Sequence, residues 1–256
     1  MSVYAVSDLH GQFNTFIEGL KKIDFKDDDR LYFIGDAIDR GPDGIKILKY
    51  IKKHENMDLI IGNHEFMMLN SVDLEGKNKC NGMDSNLWLY ANGGRITFEK
   101  YTKLKKSERL ELLEWLKERY VIKVIAVGER LFCLTHSYFK KGLENKKYSE
   151  LKYHEVDNIV WTSFYRSESL THGIDLYGNF EEYTFITGHV PVIGIMRNYY
   201  GQYNYNRLEI YQKGNFIDID GACAAGYQEE LNNGALFLRL DDMEVFTVPL
   251  KGSKDQ

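Results

Sequence analysis

Three short runs carry residue types that do chemistry: Ser7-Asp8-Leu9-His10-Gly11, Gly35-Asp36-Ala37-Ile38-Asp39-Arg40-Gly41 and Gly62-Asn63-His64-Glu65. Each follows an apolar stretch that reads as a strand, so each sets Asp, Asn or His where a strand gives way to a loop. His136 in Leu-Thr-His-Ser and His189 in Thr-Gly-His-Val-Pro follow apolar runs in the same way. Carboxylate, amide and imidazole groups gathered at strand ends are what a pair of divalent ions needs. Oxygen and nitrogen donors without thiolate suit Mn, Fe, Zn or Mg in a hydrolytic site better than a structural zinc site.

Alternate residues of a strand point the same way, so Asp8 and His10 reach one ion from one strand end. Asp36 offers two carboxylate oxygens and can bridge, while Asn63 adds a ligand oxygen without adding charge. The expected shells are Asp8, His10 and Asp36 on one ion, and Asp36, Asn63, His136 and His189 on the other. Gly11, Gly35 and Gly62 let the backbone turn or approach closely beside these ligands. Two ions about 3.5–4 Å apart lower the pKa of a shared water and clamp a phosphate for in-line attack. The expected chemistry is therefore phosphate-ester hydrolysis. A lone His or Asp at a strand end is ordinarily a turn residue, and His54, His154 and His172 are read that way. Five strand ends bearing ligand types in one chain resist that reading.

The elements that must position these groups show in the apolar pattern. Strands are expected over residues 3–6, 31–34 and 59–61, with helices over 14–23 and through Ile45, Ile47, Leu48 and Ile51, and another beginning at 66–69. Strand–helix alternation argues for parallel βαβ units. Residues 72–120 are expected to be largely helical, with an apolar stripe after Ser107. Further strands are expected over 121–127, 130–135, 183–187, 192–196, 208–211, 216–220, 235–240 and 245–248. These elements suggest two mixed sheets packed together with helices outside, an α/β arrangement. Residues 1–256 are read as one domain, within which the polar, aromatic segment 140–178 is read as a loop-rich cap beside the site.

Bulk properties exclude several classes. The chain has 256 residues, 43% hydrophobic and 28% charged, which reads as an ordinary globular protein. A net charge of −5 and a pI near 5.9 argue against a nonspecific nucleic-acid binder. Cys80, Cys133 and Cys223 form no metal-binding or disulfide pattern, and Cys133 is read as a buried thiol. With no signal-peptide pattern and no apolar run near the ~18–20 residues of a membrane span, the expected place is the cytoplasm.

The three N-terminal runs closely resemble the signature motifs of the phosphoprotein phosphatase family of calcineurin-like metallophosphoesterases, in its bacterial and phage serine/threonine phosphatase branch. Trp88, Asn92-Gly93-Gly94 and Thr97 resemble a segment of the bacterial members, and Asp218 to Gly221 a short segment shared with symmetrical diadenosine tetraphosphate hydrolases. The resemblance runs to about residue 226. It implies a sandwich of two mixed sheets with a dimetal centre at loops along one edge, and the ligand set given above. It further implies that Arg40 binds the substrate phosphate as a guanidinium fork, and that His64 is the general acid with Asp39 orienting it. Glu65 is read as structural. The chain departs from the family at Ser137-Tyr138-Phe139, expected to crowd the site mouth, and at Val190, where threonine is usual. A second phosphate-binding arginine is missing from Trp161-Thr162-Ser163; Arg166 is the nearest, and either swings in from a longer loop or lies on the surface.

The expected reaction is hydrolysis by a metal-bridging hydroxide, most simply of phosphoserine or phosphothreonine in proteins. The alternative is symmetrical hydrolysis of diadenosine tetraphosphate, and a third reading is an inactive phosphate-binding module on the same fold. Partners are then a phosphoprotein or a nucleotide phosphate, with no nucleic acid and no membrane. The resemblance to the family's bacterial members implies two Mn ions; Fe, Zn, Mg or Ni would use the same ligands.

Overall fold

Three parallel strands start the chain: Val3–Val6 (β1), Arg30–Ile34 (β2) and Met57–Ile60 (β3). They are short, apolar and mostly buried, as strands covered on both faces must be. Helices Phe13–Lys22 (α1) and Gly44–Lys53 (α2) make the crossovers. Each turns its apolar stripe inward, with Phe16 and Leu20 on α1 and Ile47, Leu48 and Ile51 on α2 buried, and its lysines outward. Residues 1–79, 83–165 and 182–252 are described by this structure, a computed structural model.

After β3 the chain enters helix Asn63–Ser71 (α3), then Met83–Asn86 (α4), which runs into a π-helical turn at Leu87–Ala91. Helices Arg95–Thr102 (α5) and Lys106–Lys117 (α6) follow. The second sheet is built from Ile122–Val127 (β4) and Arg130–Thr135 (β5), then, after helix Tyr153–Trp161 (α7), from Thr184–Thr187 (β6), Tyr211–Lys213 (β7) and Phe216–Asp218 (β8). Gly234–Arg239 (β9) and Val245–Pro249 (β10) return to the first sheet. The orders are β10-β9-β1-β2-β3 and β4-β5-β6-β8-β7, each with three parallel strands and antiparallel neighbours outside them.

Strand alternation makes the two-sheet sandwich. Val3, Ala5, Ile34 and Ile60 of the first sheet meet Phe132, Leu134, Ile186 and Ile217 of the second in one buried cluster. Their neighbours Tyr4, Phe33, Cys133, Phe185 and Phe216 point the other way, beneath the helices. The ladder continues past the strands: the N–H groups of Asp8, His10 and Gly11 donate to the carbonyls of Gly35, Asp36 and Ala37 at 3.1, 2.9 and 2.9 Å. Two motif loops are thereby zipped together. No described helix is long and apolar enough to cross a membrane.

Several expectations need correction. Residues 192–196 form a short helical turn, Val192–Gly194, running into a π-helical turn at Ile195–Tyr199, rather than a strand. Pro191 presets the entry, its carbonyl accepts from Gly194 and Ile195, and Val192 and Ile195 bury one side at helical spacing. The strand expected over 208–211 starts only at Tyr211, and residues 72–79 form turns closed by a Val72–Asn78 bridge rather than helix. Part of the segment read as loop-rich is α7, whose Val156, Ile159 and Val160 are buried. Residues 166–178 of that segment lie outside the described residues, and so does Arg166.

Gly19 on α1 faces the ring of Phe237 on β9, where a Cβ would stand 2.0 Å from the ring edge. Alanine ordinarily stabilises a helix interior by roughly 0.5–1 kcal/mol over glycine. Here the sign should reverse: Gly19→Ala is expected to destabilise by about 1–3 kcal/mol through overpacking, read from the midpoint of urea unfolding.

Candidate metal centre

Five parallel strands deliver the five expected sites to one place. Asp8 follows β1, Asp36 follows β2, Asn63 opens α3 after β3, His136 follows β5 and His189 follows β6. All are buried except His189, which is half-buried. Asp36 is the hub. Its Oδ2 lies 3.6 Å from His10 Nε2, 3.8 Å from His64 Nε2 and 3.4 Å from His136 Nε2. Asn63 Oδ1 lies 2.9 Å from His136 Nε2 and 3.1 Å from His189 Nδ1. Asp8 Oδ1 stands 4.0 Å from His10 Nε2, while its Oδ2 is engaged by the Ser7 hydroxyl and the His189 N–H.

The imidazoles are aimed by backbone carbonyls. His10 Nδ1 lies 3.0 Å from the Ile38 carbonyl and His136 Nδ1 lies 3.0 Å from the Ile34 carbonyl. A carbonyl only accepts, so each Nδ1 carries the hydrogen and each Nε2 of the neutral ring presents a lone pair to the site. Around His136, the lone pair of Nε2, the Asn63 amide oxygen and the Asp36 carboxylate then converge as acceptors. A cation placed among them would satisfy all three acceptors together. In the ion-free protein a proton takes that part: burial pulls the His136 imidazole down, but Asp36 and Asp8 raise it from 6.5 to about 10. Burial likewise opposes the charged form of Asp36, yet His136 and His64 hold its carboxyl well below the usual range. His10, buried beside His64, is pulled down to about 3 and presents a free lone pair. Burial pushes Asp220, after β8, up to about 7, and burial and Asp220 raise Asp8. This many buried acids around orienting imidazoles fits divalent cations. Two groups of donors lie within reach of one ion each, His10–Asp36–His64 and Asp36–His136–His189, with Asp36 common to both. The first includes His64 where Asp8 was expected.

The frame that holds Asp36 is rigid. Glu65, read as structural from the sequence, accepts from the Asp36, Ala37 and Gly62 N–H groups at 2.9, 2.9 and 3.1 Å. The His64 N–H, in the first turn of α3, donates to Asp36 Oδ1 at 3.0 Å. Six of the ten non-glycine residues with positive φ among the described residues are Asp8, His10, Asp36, Asp39, Arg40 and His189. Such backbone strain clusters at functional sites and persists only where surroundings over-determine it. Gly35 has φ +76°, and a Cβ there would meet His136 Nδ1 at 2.5 Å and Gly62 Cα at 2.7 Å. Only glycine lets loops of the two sheets close this tightly.

His64 Nδ1 pairs with Asp39 Oδ2 at 2.6 Å, and Asp39 is fully buried. Burial opposes the imidazolium, but Asp36 and Asp39 raise His64 above the usual range. Arg40 is exposed at the rim next to this pair. Of the residues after His136, Ser137 donates to the Thr162 carbonyl, Phe139 packs on Phe185 and Tyr138 on Phe164. Trp161, at the end of α7, meets His189 edge-on at 5.9 Å. Two contributors were flagged in the sequence without a role: Trp88, whose indole N–H reaches Asp39, and Thr97, whose hydroxyl accepts the Asp39 N–H. Cys133 and Cys223 are buried free thiols.

Residues 1–222 match the model of the calcineurin-like phosphoesterases. The chain belongs to that family. Among curated relatives of this calcineurin-like phosphoesterase, serine/threonine-protein phosphatase 2 of Salmonella typhimurium is 27% identical over 191 residues, 74% of this chain and 80% of the relative. The symmetrical bis(5'-nucleosyl)-tetraphosphatase of Buchnera aphidicola subsp. Schizaphis graminum is 30% identical over 139 residues. That match spans 54% of this chain and only 44% of the relative's length. The crystal structure of a metallophosphoesterase from Sphaerobacter thermophilus shares the fold, with a TM-score of 0.54 at 15% identity, over 98% of this chain and 88% of that one.

Because the His136 imidazole holds a proton up to about 10, ion binding at neutral pH must displace it. Manganese affinity is therefore expected to rise with pH, by about tenfold per unit for one released proton. Calorimetry in buffers of different ionisation enthalpy reads the release directly. An affinity flat from pH 6 to 9 would show that no proton leaves His136 when the ion binds.

Proposed function

We propose that this chain hydrolyses phosphate monoesters, with phosphoserine and phosphothreonine in proteins as its substrates. The observation that carries the reading is the His64–Asp39 pair, 2.6 Å apart, fully enclosed and set beside Asp36. A serine or threonine alkoxide leaves only if it is protonated as the bond breaks, so a positioned acid matters most for that leaving group. A nucleotide leaves as a phosphate that is already stabilised. Similarity to a bacterial serine/threonine phosphatase over 74% of this chain supports the same choice.

In this reading the ions would be held by Asp8, His10, Asp36, Asn63, His136 and His189, with manganese the metal that the resemblance to the family's bacterial members implies. When bound, they activate water and offset the charge of the phosphate. The other roles belong to the chain's own side chains. Arg40, exposed at the rim, binds the phosphate oxygens as a planar fork. His64, held protonated by Asp36 and Asp39, passes its Nε2 proton to the leaving oxygen. Asp39 fixes the tautomer by taking the Nδ1 hydrogen.

A second reading, symmetrical hydrolysis of a dinucleoside tetraphosphate, has the 30% identity to a tetraphosphatase in its favour. Turnover of a phosphoserine peptide and of diadenosine tetraphosphate by the manganese-loaded protein separates the two. The peptide is expected to be the better substrate, and preferential release of ADP would reverse the choice. His64→Asn should lower peptide turnover by roughly 10²–10⁴ while manganese stays bound, as measured by metal analysis after gel filtration.

A further inference from the structure

The stretch from α4 to α5 supplies no group to the ion cluster, yet it grips the catalytic loop at three points. Trp88 Nε1 donates to Asp39 Oδ2 at 2.7 Å, and Thr97 Oγ1 accepts the Asp39 N–H at 2.9 Å. The Gly93 carbonyl accepts the Arg40 N–H at 3.3 Å. All three contacts fall on Asp39 and Arg40, two residues with left-handed backbones of φ 69° and 65°. Trp88 is fully buried, on the π-helical turn Leu87–Ala91, with Phe98 edge-on at 6.2 Å. Such turns often mark functional positions. Its other face rests on Gly94, where a Cβ would stand 2.5 Å from Nε1. A side chain at 94 would push the indole off Asp39.

The two donors fall on one oxygen. Asp39 Oδ2 takes His64 Nδ1 at 2.6 Å and the indole at 2.7 Å, whereas Oδ1 is buried without a hydrogen-bond partner. A carboxylate terminal torsion is soft and roughly two-fold. A buried carboxylate held by the imidazole alone would turn readily about this torsion. The indole N–H, rigid in a packed ring, opposes that turn. A pure packing residue at 88 needs no N–H, and a buried N–H is costly unless it is satisfied.

We propose that Trp88 is a positioning residue for the proton donor: its indole N–H locks the Asp39 carboxylate in the orientation that holds His64 toward the leaving oxygen. This rests on the reading of His64 as the acid. Loss of the N–H leaves the ions and Arg40 in place but lets the acid swing. The defect therefore depends on how much the leaving group needs a proton.

The test is kcat and KM of wild type, Trp88→Phe and His64→Asn, all manganese-loaded, on a phosphoserine peptide and on p-nitrophenyl phosphate. Trp88→Phe is expected to lower kcat on the peptide by about 10- to 100-fold and on the aryl ester by less than about threefold, with KM little changed. Gly94→Ala, which displaces the indole without removing it, should show the same bias, and it serves if Trp88→Phe fails to fold. Equal losses on both substrates, or none, overturn the proposal. If His64→Asn itself shows no leaving-group bias, the acid reading fails and takes this inference with it. Bias in His64→Asn alone defeats only the role of Trp88. The spectrum of ion-free protein labelled with ¹⁵N-tryptophan is independent of turnover. The Trp88 indole proton, assigned by its loss in Trp88→Phe, should be shifted downfield and slow to exchange; an ordinary, freely exchanging signal contradicts the hydrogen bond outright.

Discussion

One buried carboxylate organises this molecule. Asp36 carries its charge with almost no solvent, 3.4 to 3.8 Å from three imidazole nitrogens contributed by two loops and the first turn of α3. An isolated carboxylate in such a place would take up a proton. Asp36 stays ionised because imidazoles surround it, His136 and His64 foremost. Glu65 pins its N–H, and the first turn of α3 presents an N–H to its other oxygen. The same charge that holds protons on His64 and His136 in the ion-free protein is what two cations would share. In the proposed function, metal affinity and acid strength would thus depend on one group.

The sandwich exists, in functional terms, to bring ends of strands from two sheets within hydrogen-bonding distance of each other. Each sheet runs three strands in parallel, so each collects several carboxyl ends at one edge. The interleaved core of Ile34, Ile60, Leu134 and Ile186 sets the sheets in register, and Gly35 leaves the room for His136 to close the gap. Asp8, His10, Asp36, Asp39, Arg40 and His189 adopt left-handed backbones there. Such conformations cost of order 1–3 kcal/mol each, which a core of this size can sustain and a lone loop cannot.

Much of this was legible in the sequence, because apolar runs ending in Asp, Asn or His state both the strand and its cargo. Asp8, Asp36, Asn63, His136 and His189 could be placed at strand ends without knowing the pairing, and the structure brings them together. Local ambiguity defeated other elements. The run Val192 to Met196 is too short to show a period, so Pro191 and burial on one side decide for a helical turn. Helix α7 hides its three buried residues among polar neighbours. Long-range contacts were beyond reach altogether. Trp88 lies 49 residues from Asp39, and nothing in either segment announces that an indole closes on that carboxylate.

An anomalous-scattering map from crystals of the manganese-soaked protein tests most directly whether Asp36 joins the two ions. Two peaks that share the Asp36 carboxylate are expected, one also meeting His10 and the other meeting Asn63, His136 and His189. A single peak, or two that do not share Asp36, would contradict the claim that this carboxylate joins the two halves of the site.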